Sequence, residues 1–191
     1  MPDDPPLVIG ISGASGAPIA CQVLESLRSA HVPVALVISD GAAVVLREEC
    51  GLEPEALHPL ATHVYSDHDL AAPIASGSTR TRGMAVVPCS SNTAARIALG
   101  LADTLLTRAA HVHLKERRKL VVVPRETPLP TTLLRHLTTL SEAGAVVLDA
   151  APPYYLHPRS VEDQTRYLAG KLLDQFEVPH RLYVGWKAGS P

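Results

Sequence analysis

The stretch that most constrains this chain is Leu7-Val8-Ile9-Gly10-Ile11-Ser12-Gly13-Ala14-Ser15-Gly16-Ala17. A short apolar run rich in β-branched residues passes into glycines at 10, 13 and 16, with Ser12 and Ser15 between them, and helical spacing begins directly afterwards. The pattern predicts a strand, a tight turn and a helix start. Glycine tolerates positive φ and lets a ligand come close to the backbone, and the first N–H groups of a helix lack internal acceptors and attract anions. A phosphate-bearing ligand suits such a loop; a purely structural turn between strand and helix is the alternative. The spacing matches neither G-x-G-x-x-G nor G-x-x-x-x-G-K-[ST]. No G-x-S-x-G elbow is present either, since Ala14 and Ala17 stand two residues after Ser12 and Ser15.

The same grammar repeats along the chain. Residues 17–30 carry Ile19, Ala20, Val23, Leu24 and Leu27 on one helical face. Val34-Ala35-Leu36-Val37-Ile38 is an unbroken apolar run, as expected of a strand buried on both sides of a parallel sheet. Ser39 and Asp40 can cap a helix reaching about Glu49. Residues 51–82, richer in Pro, His, Asp and Ser and without a clean period, read as a short helix and loops, a lid or an interface arm. Met84-Ala85-Val86-Val87 is a third strand, followed by the small-residue loop Pro88-Cys89-Ser90-Ser91-Asn92-Thr93. A helix over 103–117, a strand over 120–123 ending in Pro124-Arg125-Glu126-Thr127-Pro128, and a helix over 131–143 closed by Gly144 come next. A fifth strand over 145–148, a rigid loop from Pro152 to Pro158, and a last helix from a Ser160/Asp163 cap to about Phe176 complete the pattern.

Five apolar runs alternating with helices predict an α/β fold, doubly wound around a mainly parallel sheet in a Rossmann-like or flavodoxin-like three-layer sandwich. At 191 residues one domain is expected over 1–191, with 1–6 as a lead prone to disorder and 177–191 as a tail at a subunit interface. Ligands of such sheets sit outside the carboxyl ends of the strands, where the strand order reverses. That rule gathers Gly13 to Ser15, Ser39, Ser90 to Thr93, Arg125, Glu126 and Tyr155 on one rim.

A net charge of −2 gives no reason to expect nucleic acid or an anionic membrane as partner. Cys21, Cys50 and Cys89, far apart and odd in number, read as reduced thiols. The acidic, proline-rich start differs from a signal peptide, and no run approaches the roughly 18 apolar residues of a membrane span, so a cytoplasmic protein is expected.

Lys115 and Arg108 on one helix, with Arg125 and Glu126 after the next strand, would bring three cations and a carboxylate to the rim. Arg offers a planar fork to phosphate and Lys a compact charge. A solvated helix end favoured by the dipole is the alternative for Lys115, and the preferred reading for Arg117 and Arg118. His111 and His113, two apart on a helix, face different sides, so no metal pair is expected and no metal is assigned. Cys89 reads as a buried apolar thiol rather than a nucleophile. Tyr155 suits either a core contact or a phosphate oxygen.

Taken together, Gly10 to Ala17, Pro88-Cys89-Ser90, Arg108-Ala109-Ala110, Leu114-Lys115-Glu116-Arg117-Arg118, Pro124-Arg125-Glu126-Thr127-Pro128-Leu129, Gly144-Ala145 and Pro153-Tyr154-Tyr155 resemble the UbiX-type flavin prenyltransferases over nearly the whole chain. The resemblance implies a metal-independent transferase that binds FMN and joins a dimethylallyl group from dimethylallyl phosphate to flavin N5 and C6. Its product, prenylated FMN, would serve a UbiD-type decarboxylase. A homo-oligomer is implied, usually a dodecamer with active sites where subunits meet. Carried over by motif, Gly13, Ala14, Ser15, Ser39, Ser90, Ser91, Asn92, Thr93 and Arg125 would hold FMN. Lys115, Glu126, Tyr155 and Lys171 would hold the prenyl phosphate, with Ser15, Glu49, Lys115 and Glu126 in catalytic roles and Trp186 closing the pocket. Three positions depart from the pattern: Lys171 replaces an arginine, His111 an aspartate, and Asp40 a common lysine. A non-catalytic FMN carrier and an FMN-dependent cysteine decarboxylase are the alternatives. The second lacks support because the Pro-x-Met-Asn-x-x-Met segment of that relative is absent.

Overall fold

The computed structural model describes residues 4–185; the expectation for Trp186 lies outside the described residues. Its centre is a six-stranded, all-parallel sheet of β1 (Leu7–Ile11), β2 (Val34–Ile38), β3 (His63–Ser66), β4 (Gly83–Cys89), β5 (Leu120–Pro124) and β6 (Val146–Val147), in the order β3-β2-β1-β4-β5-β6. The doubly wound fold expected from the alternating pattern is present, with the order reversing between β1 and β4. Every residue of β1, β4 and β5 is buried, which is why these strands read as continuous apolar runs.

Helices α1 (Ala17–Ser29), α2 (Asp40–Cys50) and α6 (Val161–Gln175) cover one face of the sheet, where Ile9, Leu24, Leu36, Leu46 and Leu173 share a core. Helices α3 (Ser91–Ala98), α4 (Leu105–Lys115) and α5 (Thr131–Glu142) cover the other around Met84, Ile97, Leu106 and Leu140. Polar caps start several helices as the sequence suggests. Ser39 Oγ accepts from Ala42 N–H at 3.2 Å, Ser90 Oγ from Thr93 N–H at 3.1 Å, and Ser160 Oγ from Asp163 N–H at 3.1 Å.

One strand contradicts the expectation for 51–82. His63–Ser66 pairs with β2 at the sheet edge, preceded by a 3-10 helix over Pro54–Leu60. Three of its four residues are exposed, so it carries neither the apolar run nor a clean alternation that would mark it. The fifth expected strand, 145–148, shortens to Val146–Val147 at the opposite edge.

Candidate active site

The loops after β1 and β4 are stitched together by Ser12, a buried residue that sequence reasoning treated only as part of the turn. Its hydroxyl donates to Pro88 O at 2.9 Å and accepts from Ser90 N–H at 2.8 Å, and its own N–H donates to Pro88 O at 3.2 Å. Ser90 in turn gives its proton to Thr93 Oγ1 at 2.9 Å. The loops after β1 and β2 meet differently: a Cβ added to Gly13 would lie 3.0 Å from Gly41 Cα and C, so only backbone fits between them. The amino ends of α1, α2 and α3 thereby converge over the switch point.

Helix α2 lies along this rim. Its first turn touches Gly13 through Gly41, and its last turn still reaches the start of α1. There Glu49 Oε2 accepts from Gly16 N–H at 2.8 Å and from Ala17 N–H at 2.9 Å. The first amides of α1, expected from the sequence to be open to a ligand anion, are thus capped by a carboxylate of the chain itself. Burial pushes the Glu49 carboxyl up, but bonds from the Ser15 hydroxyl and the two amides, with the Arg125 guanidinium nearby, outweigh it and hold the group below its usual range.

Arg125 and Glu126 leave the end of β5 and close the rim from the other side. Arg125 Nε donates to Ser15 O at 3.4 Å, and Glu126 Oε2 accepts from Ser91 Oγ at 3.0 Å. Glu126 also borders a cleft of about 420 Å³ between Arg125–Leu129 and Asp149–Pro152. The structure therefore brings together Gly13, Ala14, Ser15, Ser39, Glu49, Ser90, Ser91, Thr93, Arg125 and Glu126, with Asn92 exposed on the first turn of α3. Asp40 does not point its charge into this group alone: its Oδ2 lies 3.3 Å from His68 Nε2, on the loop after β3.

Tyr155 and Lys171 form a second group. Tyr155 is hydrogen-bonded to Tyr167, which stands one helical turn before Lys171 on α6. Tyr167 meets Tyr183 edge-on, with ring centres 4.9 Å apart, and Lys171 Nζ lies 5.8 Å from the Tyr183 ring centre. Tyr167 and Tyr183 line a cavity of about 360 Å³ with Pro153, Leu156, Arg159 and Arg166. Neither tyrosine was singled out by sequence; the four-residue step from Tyr167 to Lys171 was the available signal.

Lys115 does not join the rim of its own chain. Helix α4 starts near the carboxyl end of β3, where Leu105 N–H donates to Asp67 O at 2.7 Å and Leu106 N–H to Asp67 Oδ1 at 2.8 Å. It then runs antiparallel to the strands, and its far end is tied to the segment before β4 by Arg118, which donates to Gly77 O and Thr79 O, each at 2.6 Å. Lys115, paired with Glu116, thus stands about 15 Å of helix away from the rim. Arg108, in the second turn, remains on the rim side and is exposed. Arg118 is a clamp rather than the solvated helix end expected of it.

His113 is buried, its Nδ1 2.7 Å from Ala109 O and its Nε2 2.8 Å from Thr81 Oγ1, while His111 faces another side, beside Gly100. Among the described residues no three His, Cys, Asp or Glu side chains cluster as metal ligands. Cys89 is buried, and burial pushes its thiol up to about 12, which leaves it protonated and unreactive. No helix among the described residues is long and apolar enough to cross a membrane.

An α/β sheet with three helix amino ends, small side chains and one arginine over its switch point defines a nucleotide-binding class of protein, and the comparisons narrow it. The family model described as Flavoprotein matches residues 2–166. The flavin prenyltransferase UbiX of Deinococcus radiodurans is 47% identical over 187 residues, covering 97% of this chain and 96% of its own. The crystal structure of AnUbiX (PadA1) in complex with FMN and dimethylallyl pyrophosphate superposes with a TM-score of 0.92 at 39% identity, covering 97% of this chain and 100% of that one. A dodecameric FMN-dependent UbiX-like decarboxylase from Escherichia coli O157:H7 gives 0.93 at 41% identity, with 95% and 98% covered. The chain belongs to the flavoprotein family, in its UbiX-type flavin prenyltransferase branch.

Proposed function

We propose that this chain, acting as a single flavoprotein domain, transfers a dimethylallyl group from dimethylallyl phosphate to N5 and C6 of reduced FMN. The product is prenylated FMN for a UbiD-type decarboxylase. The observation that carries this reading is the closed rim itself: Ser15 bonded both to Glu49 and to Arg125, and Ser91 bonded to Glu126, over the switch point. FMN fits the cradle in which Gly13 and Gly41 touch by backbone alone and in which α2 and α3 turn their amino ends inward. With the α1 amides occupied by Glu49, the FMN phosphate falls to the small residues Ser39 and Ser90 to Thr93 and to Arg125, whose planar fork suits it. Bound there, reduced FMN supplies the nucleophilic N5 and C6.

The remaining residues act on the donor. Its allylic C–O bond breaks with both electrons leaving on the phosphate, and cations and donors already in place stabilise that charge. Lys171, Tyr155 and Lys115 have this role. Joining N5 releases its proton to the departing phosphate, whereas joining C6 needs a proton added to the remaining prenyl double bond and one lost from C6. Glu126, bonded to Ser91 and beside the cleft, moves these last two protons. Since Lys115 stands at the far end of its own sheet, the site it serves is that of a neighbouring copy, which makes a homo-oligomer part of the mechanism.

Anaerobic incubation of the protein with reduced FMN and dimethylallyl monophosphate, followed by mass analysis of the released flavin, tests the reading. A gain of one C5 unit is expected. Bound but unmodified flavin with both the monophosphate and the diphosphate would replace it with the carrier reading. Lys115→Ala is expected to bind FMN and fail in transfer; retained transfer would overturn its assignment.

A further inference from the structure

Lys171, one of two lysines among the proposed phosphate ligands, presents one point charge on a flexible stem where an arginine would present a rigid fork. The structure surrounds it. Its Nζ lies 3.5 Å from Asp174 Oδ2, and Tyr183 donates its hydroxyl to that same oxygen. His180 Nε2 lies 3.0 Å from Asp174 Oδ1, and its Nδ1 accepts from Leu182 N–H at 3.2 Å. That second bond assigns the tautomer: Nε2 carries the proton and donates to the carboxylate. Asp174 therefore has three donors on two oxygens. The contact with Lys171 is the longest of them; the ammonium also bonds the Tyr183 side chain, which leaves one of its three N–H bonds for another acceptor.

The chain segment supplying these groups is seated by a glycine. A Cβ added to Gly170 would lie 2.6 Å from Tyr183 Cδ1 and 2.9 Å from His180 Cε1, so the two rings rest directly on the α6 backbone. Through Tyr167 the same rings connect to Tyr155. Residues 180–183 thus join the two groups proposed to meet the donor phosphate.

We infer that Asp174, Tyr183 and His180 are positioning residues that aim the Lys171 ammonium at the phosphate of the prenyl donor, replacing by a fixed network the orientation an arginine fork would supply. The inference rests on the proposed role of Lys171 in donor binding. A tail that merely packs on α6 would also need Gly170 and the ring contacts, but it would be indifferent to which cation stands at 171.

Three variants of the full chain separate these cases, each read by the KM for dimethylallyl monophosphate, kcat and FMN affinity. Tyr183→Phe keeps the ring and removes the hydroxyl; it is expected to raise the KM about five-fold with FMN affinity unchanged, the loss of one bond in a charged network. Adding Lys171→Arg to it is expected to bring the KM back to within about two-fold, because the fork no longer depends on the network. An unchanged KM in Tyr183→Phe, or a defect that persists with arginine at 171, overturns the inference while leaving the proposed function standing. Lys171→Ala is the control for the role of Lys171: a raised KM supports that role, and an unchanged KM removes it and the inference with it, while the mass gain of the flavin tests the proposed function separately.

Discussion

Glu49 links the stability of the fold to the geometry of the rim, and Glu49→Gln tests that link. The carboxylate caps α1 through two short amide bonds, at 2.8 and 2.9 Å, and also holds the Ser15 hydroxyl. Glutamine preserves size and leaves one oxygen to accept both amides, so the variant removes charge and little else. A hydrogen bond to a charged group contributes about 1 kcal/mol more than a neutral one, and a charge at a helix end about 0.3–1 kcal/mol, so roughly 2 kcal/mol should be lost at neutral pH. For a chain of this length each kcal/mol shifts the midpoint by about 2–4 °C, giving a fall of about 4–8 °C in Tm. The sign of the pH dependence follows from the carboxyl being held below its usual value of 4.5 in the folded chain. Such a group contributes fully above its unfolded value, and the contribution fades as pH falls through the folded one. Thermal unfolding followed at matched protein concentration should therefore show a gap between wild type and variant at pH 7 that narrows below pH 4.5. A gap of constant size down to the lowest pH at which both fold would show that charge is not its origin, and an absent gap at pH 7 would refute the capping role.

Mixing Lys115→Ala with Glu126→Gln, each inactive alone, is expected to restore part of the transferase activity after subunit exchange, since the mixture contains sites with both residues intact; no recovery under demonstrated exchange would mean that one chain supplies both. Gly13→Ala should weaken FMN binding at least ten-fold, about 1.4 kcal/mol, because the new methyl meets Gly41 backbone at 3.0 Å; equilibrium titration with FMN measures it, and unaltered affinity would show that the contact yields. Cys89 should resist iodoacetamide at pH 8 in the folded protein, and Cys89→Ala should retain transfer; rapid labelling or lost chemistry would contradict a buried, protonated thiol.

What the sequence disclosed was what each residue owes to its immediate neighbours. β1, β4 and β5 are buried throughout between helix layers and β2 in all but its last residue, and that burial leaves an apolar run that reads directly. Ser39 and Ser160 cap helices within three residues of themselves, which spacing also reveals. β3 stayed hidden because an exposed edge strand of four residues has no buried face to mark it. The carboxylate on α1 comes from Glu49, 33 residues from Gly16 and on another helix, and no local pattern encodes such a pair. Lys115 illustrates a different failure, since its position was implied by the fold class once the sheet was taken as parallel. A crossover helix must run back along the strands, so a residue in its last turn belongs to their amino ends, however well its motif matches a ligand of the carboxyl rim. That conflict between motif and topology vanishes if two chains share the site. The oligomer is then not an addition to the active site but the condition under which Lys115 and Glu126 can meet.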